Sequence, residues 1–111
     1  SLPVIRDLKQ QHLGGVVLYD YDVPTHRALR NIQSPAQVKA LISGLQTVSA
    51  VPLLITIDEE GGKISRLKEK YGFPPTVSAQ RLGEKDDPAY TYRQAHRIAE
   101  TLAGLGFNLN F

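Results

Sequence analysis

The sequence predicts an α/β fold with parallel strands, on three observations. Apolar runs of strand length recur at Val16–Tyr19, Leu53–Ile57 and Phe107–Phe111. Between them lie segments whose apolar residues fall at helical spacing, each opened by a capping residue followed by proline, Ser34-Pro35 and Asp87-Pro88. The first two runs end in acids, Asp20 and Asp22 after one, Asp58, Glu59 and Glu60 after the other. Strands joined through helices run parallel, with right-handed crossovers. An open doubly wound sheet and the first part of a (β/α)8 barrel both satisfy this pattern, and periodicity leaves the choice open.

Taken in order, Leu2 to Leu13 reads as a helix with Val4, Ile5 and Leu8 on one face. Gly14 and Gly15 supply its stop, because glycine takes the left-handed cap conformation readily. Val16–Tyr19 is the first strand. Val23 to Gln33 has no clean period and contains Pro24, so it reads as a long loop with room for a helical turn. The second helix has a strong start: Ser34 as N-cap, Pro35 at the first position and Gln37 completing a capping box. Val38, Leu41, Ile42, Leu45 and Val48 then form its apolar face.

Leu53, Leu54, Ile55 and Ile57 make a near-continuous apolar strand of the kind covered on both faces. Tyr71 to Pro75 is irregular, since two prolines restrict the backbone, and Ser78 to Gly83 allows a helical turn. Asp87-Pro88 opens the last helix, with Tyr92, Ala95, Ala99 and Leu102 along one face and Gly106 ending it. Phe107, Leu109 and Phe111 alternate with Asn108 and Asn110 at the period of a strand.

The totals exclude several function classes. With 41% hydrophobic and 22% charged residues the 111-residue chain is an ordinary small globular domain rather than a disordered one. The net charge of +2 is spread along the chain with no basic block, so no nucleic-acid surface is expected. There is no cysteine, hence neither a disulfide framework nor a thiolate metal site, and the compartment stays open. No apolar run reaches the ~18–20 residues of a membrane span, and no signal peptide is visible. A soluble protein is expected. The chain starts at Ser1 and contains no Met, which leads us to expect that its natural N-terminus lies further upstream.

Chemistry concentrates at the end of the second strand. A carboxylate at a strand's C-terminal end is carried on a rigid support and faces the crevice where α/β folds build ligand sites. Gly61 and Gly62 let the backbone turn sharply there. Arg66 follows Asp58 by eight residues, so the loop can return a guanidinium to the same cleft. Carboxylate and guanidinium together supply acceptors and forked donors for a polar ligand. The plainer reading is a structural salt bridge between Asp58 and Arg66, and both readings can hold at once. Three adjacent acids without a histidine make a poor metal site. His12 and His96 lie in predicted helices and His26 in a loop, and all three read as surface or packing residues. Asp20 and Asp22 are weighed between substrate contact and a solvated loop, Asn108 and Asn110 between the barrel interior and the less apolar strand face.

The stretch Asp58-Glu-Glu-Gly-Gly-Lys-Ile-Ser-Arg-Leu67 resembles the Asp-Gln-Glu-Gly-Gly-Arg-Val-x-Arg-Leu signature of glycoside hydrolase family 3, most closely its β-N-acetylhexosaminidase branch. Gly14–Leu18, Ser34–Gln37, Phe73–Thr76 and Leu105–Phe111 resemble further segments of that family in the same order. The resemblance covers nearly the whole chain, with Val23 to Asn31 as an extra-long first loop. It implies about three β/α units, with parallel strands, from the N-terminal part of a TIM-like (β/α)8 barrel, all 111 residues belonging to that one domain. It implies a retaining glycosidase without cofactor or metal, acting on a carbohydrate, in which Asp58 and Arg66 bind sugar. Glu60, with Gly61 and Gly62, would support the loop. Lys63 stands where the family has arginine and offers no bidentate fork, and Glu59 adds a charge where the family has glutamine.

The family's Lys-His-Phe-Pro-Gly-His-Gly segment and its aspartate nucleophile belong to later strands, so no catalytic group is expected in these residues. The remainder of the barrel, or a second copy, would then cover the third-strand edge. Read without the resemblance, the chain is alternatively a self-contained, non-catalytic α/β module binding a small polar ligand at Asp58–Gly62.

Overall fold

The computed structural model describes residues 2–111. Its elements run α1 (Pro3–Gln10), β1 (Gly15–Val17), β2 (Tyr21–Asp22), β3 (Arg27–Ala28), α2 (Pro35–Val48), β4 (Leu54–Ile57), a 3-10 turn at Glu69–Tyr71, α3 (Ala79–Lys85), α4 (Pro88–Leu105) and β5 (Leu109–Asn110). Strands β1, β4 and β5 form one parallel sheet in that order, with Val16 opposite Ile55 and Thr56 opposite Leu109. This is the expected alternation.

The helix starts are where local chemistry places them. Ser34 Oγ accepts from the Gln37 N–H at 3.2 Å, and Asp87 Oδ1 from the Tyr90 N–H at 3.1 Å. Gln37 reaches back one residue further than a capping box does. Its Oε1 accepts from the Gln33 N–H at 2.9 Å and its Nε2 donates to the Asn31 carbonyl at 2.8 Å. Ser78 caps α3 in the same way, through the Arg81 N–H at 3.2 Å.

Several boundaries differ from the expectation. Helix α1 stops at Gln10, and His12, not a glycine, takes the left-handed backbone (φ 53°). His12 therefore lies beyond the helix, in the connection to β1. Gly15 is instead a strand residue, and its role is close approach. A Cβ there would lie 2.7 Å from the Leu54 carbonyl oxygen. Residues 21–28 hold a two-stranded antiparallel hairpin in place of a loop. Its turn is tied by Asp22 Oδ2, which accepts from the Thr25 N–H and hydroxyl.

One face of the sheet carries the core. Leu18, Ile55 and Ile57 pack with Leu8, Val38, Ile42, Leu45, Leu102 and Leu105. The other face is open, with Val17, Leu54 and Leu109 at 41%, 53% and 37% exposure. The expectation that the central strand is covered on both faces is therefore corrected: in these residues it is covered on one. Helix α4 also turns differently. Leu102 and Leu105 are buried, while Tyr92, Ala95 and Ala99 face outward.

The third strand carries one extra residue against its neighbour. Asn108 N–H donates to Ile55 O, whereas Phe111 N–H donates to Ile57 O, three residues against two. The insertion explains why Phe107 is buried with the helices while Leu109 and Phe111 are exposed. Asn108 fills the gap in the ladder. Its Oδ1 accepts from Ile55 N–H at 2.8 Å and its Nδ2 donates to Leu53 O at 2.8 Å. Asn110 does the same for Glu59, at 2.9 Å to both N–H and carbonyl. The two asparagines thus serve β4 and its end through backbone bonds.

Candidate functional site

Side-chain alternation assigns the acids after β4 to opposite sides. Residues of a strand point alternately to its two faces. Asp58 follows Leu54 and Thr56 on the open face and is 32% exposed at its side chain. Glu59 follows Ile55 and Ile57 toward the helices and is only 2% exposed. Glu60 is exposed.

The loop beyond is tight. Glu60 N–H and Gly61 N–H both donate to the Ile64 carbonyl, at 2.9 and 3.0 Å. Gly61 and Gly62 have φ of +93° and +62°, where side chains are disfavoured. A Cβ on Gly61 would sit 2.4 Å from Val77 O, and one on Gly62 would sit 2.5 Å from Ser78 Cβ. Gly62 N–H also donates to Thr76 Oγ1 at 3.0 Å. The glycine pair therefore docks the loop against the Thr76–Ser78 segment.

Buried Glu59 holds the returning arm. Its Oε2 accepts from the N–H groups of Arg66 and Leu67, at 2.9 and 3.1 Å. The loop-supporting carboxylate is thus Glu59, one residue before the expected Glu60, which contributes its backbone N–H. The sequence placed a carboxylate here, but parity alone could have told which one turns inward, and parity needs the register.

Arg66 arrives beside Asp58, with Nη2 3.4 Å from Asp58 Oδ2. Its guanidinium also lies 3.8 Å from Asp20 Oδ1 through Nη1, and 5.3 Å above the Tyr19 ring centroid. Asp20 is fully buried and also pairs with Lys68 Nζ. One cluster thus gathers Tyr19 and Asp20 from beyond β1 and Asp58, Arg66 and Lys68 from the second loop. Two carboxylates meet two cations, so the cluster is balanced in charge. Such a pair has the chemistry to bind a polar ligand: Asp58 presents acceptors, Arg66 donors in a fixed plane.

The other candidates lie elsewhere. Asp22 pairs with Arg30 at 3.5 Å within the hairpin region. His26 is 3.5 Å from the Tyr21 hydroxyl. His96 stacks on Tyr92 and lies 3.3 Å from Glu100, on the outer face of α4. Among the described residues no three acids or histidines converge as a metal cage, and no helix is long and apolar enough to cross a membrane.

Comparison with known proteins supplies the context for this crevice. Among curated proteins, the chain is 33% identical over 97 residues to a beta-hexosaminidase of Methylobacillus flagellatus, covering 86% of this chain and 24% of that protein. It is 30% identical over 103 residues to a beta-hexosaminidase of Alkalilimnicola ehrlichii, covering 89% and 27%. The chain thus spans about a quarter of the length of the curated relatives it matches. Among solved structures, a glycoside hydrolase family 3 beta-N-acetylglucosaminidase from Paenibacillus matches all of this chain and 20% of its own, at TM-score 0.86 and 35% identity. NagZ from Neisseria gonorrhoeae, in complex with N-trifluoroacetyl-D-glucosamine, shares the fold over the whole of this chain and 32% of its own, at TM-score 0.73 and 23% identity. Residues 4–111 match the glycosyl hydrolase family 3 N terminal domain, and the chain belongs to that family.

Proposed function

We propose that these residues are the sugar-binding first part of a retaining β-N-acetylhexosaminidase. The observation that carries this reading is the Asp58–Arg66 pair. The two side chains stand at 3.4 Å at the C-terminal end of β4, each about one-third exposed, on a loop held from behind by Glu59. A partly exposed pair of this kind keeps lone pairs and N–H groups for sugar hydroxyls, which a fully buried salt bridge does not. The relatives' names, beta-hexosaminidase and beta-N-acetylglucosaminidase, support a β-linked N-acetylhexosamine as the substrate class, and we take it to be the terminal sugar.

On this reading residues 1–111 belong to a single barrel domain of about 250 residues. The remaining strands pair with the free edge of β5 and cover Val17, Leu54 and Leu109. The chemistry follows the family: an aspartate from a later strand attacks the anomeric carbon and a histidine handles the proton, both outside these residues. What this part does is bind, orient and exclude water. Asp58 accepts from hydroxyls of the bound sugar, and Arg66 donates beside it. A self-contained module would leave the apolar sheet face in water, which disfavours that alternative.

The test is turnover of aryl glycosides by the full-length protein. Release of the aryl group from a β-N-acetylglucosaminide, and slower release from the β-glucoside, is the expected result. Turnover of neither overturns the reading.

A further inference from the structure

Asp20 has no part in the family signature, and at 2% side-chain exposure it presents almost no surface to a ligand. It is nevertheless the most buried charge in the crevice. A buried carboxylate is tolerated only where cations and donors face it. Two cations do: Lys68 Nζ at Oδ2, and Arg66 Nη1 at 3.8 Å from Oδ1. The second contact is an ion pair without a hydrogen bond, and Asp20 Oδ1 and Arg66 Nε are both buried with no hydrogen-bonding partner. The backbone of Asp20 is fixed as well, since its carbonyl accepts from Arg30 N–H at 3.2 Å.

Arg66 therefore lies between two carboxylates of unequal burial. Asp20 pulls from behind and Asp58 stands in front, at 3.4 Å through one oxygen only. The Tyr19 ring supports the guanidinium plane. If Asp20 lost its charge, Asp58 would be the sole carboxylate paired with the Arg66 guanidinium. An unopposed guanidinium closes on such a partner bidentately, which would occupy the acceptors and donors that a sugar needs.

From this geometry we infer that Asp20 is a positioning residue: it holds Arg66 back from Asp58 and so keeps the pair open to the sugar. The inference rests on the glycosidase reading above and adds to it a residue from the first strand's end. It makes the two strand ends one device, with Asp20 and Arg66 joining them.

The experiment is a double-mutant cycle on the full-length enzyme, read as kcat/KM on an aryl β-N-acetylglucosaminide. Asp20→Asn should lose about 10- to 100-fold, the scale of a misplaced positioning group. In an Arg66→Ala background the same change should cost less than about 2-fold, because the group it positions is gone. In a Lys68→Gln background the full loss should persist. Inhibition by N-acetylglucosamine should weaken in parallel, which a general loss of folded enzyme does not produce. Circular dichroism checks each variant, and Asp20→Ser serves beside Asp20→Asn.

A folded Asp20→Asn with wild-type kcat/KM overturns the inference, as does full additivity with Arg66→Ala. Loss of the effect only in the Lys68→Gln background also overturns it, since Asp20 then acts through Lys68. Failure of both neutral variants to fold makes Asp20 a structural counter-ion and is equally fatal. A wild type without turnover is distinguishable from all of these, and there the glycosidase reading itself fails.

Discussion

The two loops that follow β1 and β4 begin alike and end differently. Each leaves a parallel strand into acids, with Asp20 continuing the register opposite Glu59 and Tyr19 opposite Asp58. The first loop folds on itself. Asp22 ties Thr25 and pairs with Arg30, and the hairpin β2–β3 is closed by local bonds. The second loop is held from a distance. Asn110 brackets Glu59, Thr76 takes the Gly62 N–H, and Val77 and Ser78 pack on the glycines. The two buried acids, Asp20 and Glu59, thus share one parity and the partly exposed Asp58 has the other. Parity, not residue type, separates the buried acids from the partly exposed one.

The largest effect expected from breaking this contrast is at Glu59. Glu59→Ala leaves the Arg66 and Leu67 N–H groups without their acceptor. Loss of charge-assisted bonds in a buried setting should destabilise the full-length protein by about 3 kcal/mol in urea unfolding. Glu59→Gln keeps an acceptor in place and should cost under about 1 kcal/mol. Equal losses from both substitutions would show that the charge, and not the two bonds, is what matters.

Gly61→Ala comes next. Its φ of +93° and the 2.4 Å approach to Val77 O both oppose a side chain. The backbone conformation alone should cost about 1–3 kcal/mol. Gly83→Ala, with nothing within 4 Å in α3, should instead be neutral or stabilising by up to about 1 kcal/mol. A neutral Gly61→Ala would mean that the loop has freedom to move off the Thr76–Ser78 segment.

The smallest effect is in the first loop. Asp22→Ala removes two turn bonds and an ion pair with a half-exposed Arg30. Exposed pairs contribute at most about 1 kcal/mol, and kcat/KM should stay within about 2-fold of wild type. A large loss of activity here would place the hairpin in the substrate site and blur the contrast between the loops.

How much of this could be read beforehand depends on the range of the interactions. The parallel order, the caps at Ser34 and Asp87, and the Asp58–Arg66 meeting were legible, since each is written in adjacent residues or in one loop. The hairpin was not. Strands of two residues leave no period, and the left-handed positions fall on His26 and Leu29 in place of glycines. The exchange of Glu60 for Glu59 was hidden because parity is set by pairing with β1 and β5. The burial of Asp20 needed Lys68 and Arg66 to arrive from 48 and 46 residues away. The extra residue at Asn108 shows only in hydrogen bonds between strands, and it carries Phe107 to the core in a segment whose plain alternation put it beside Leu109.

The measurement that bears most directly on the account is kcat/KM of full-length Asp58→Ala against wild type, on an aryl β-N-acetylglucosaminide, with circular dichroism confirming the fold. Loss of a charged hydrogen-bond acceptor at the sugar should cost about 2–4 kcal/mol, roughly 30- to 1000-fold in kcat/KM, with unfolding stability nearly unchanged. A folded Asp58→Ala enzyme with wild-type kcat/KM would contradict the account, and Asp58 would then be only the partner of a structural salt bridge with Arg66.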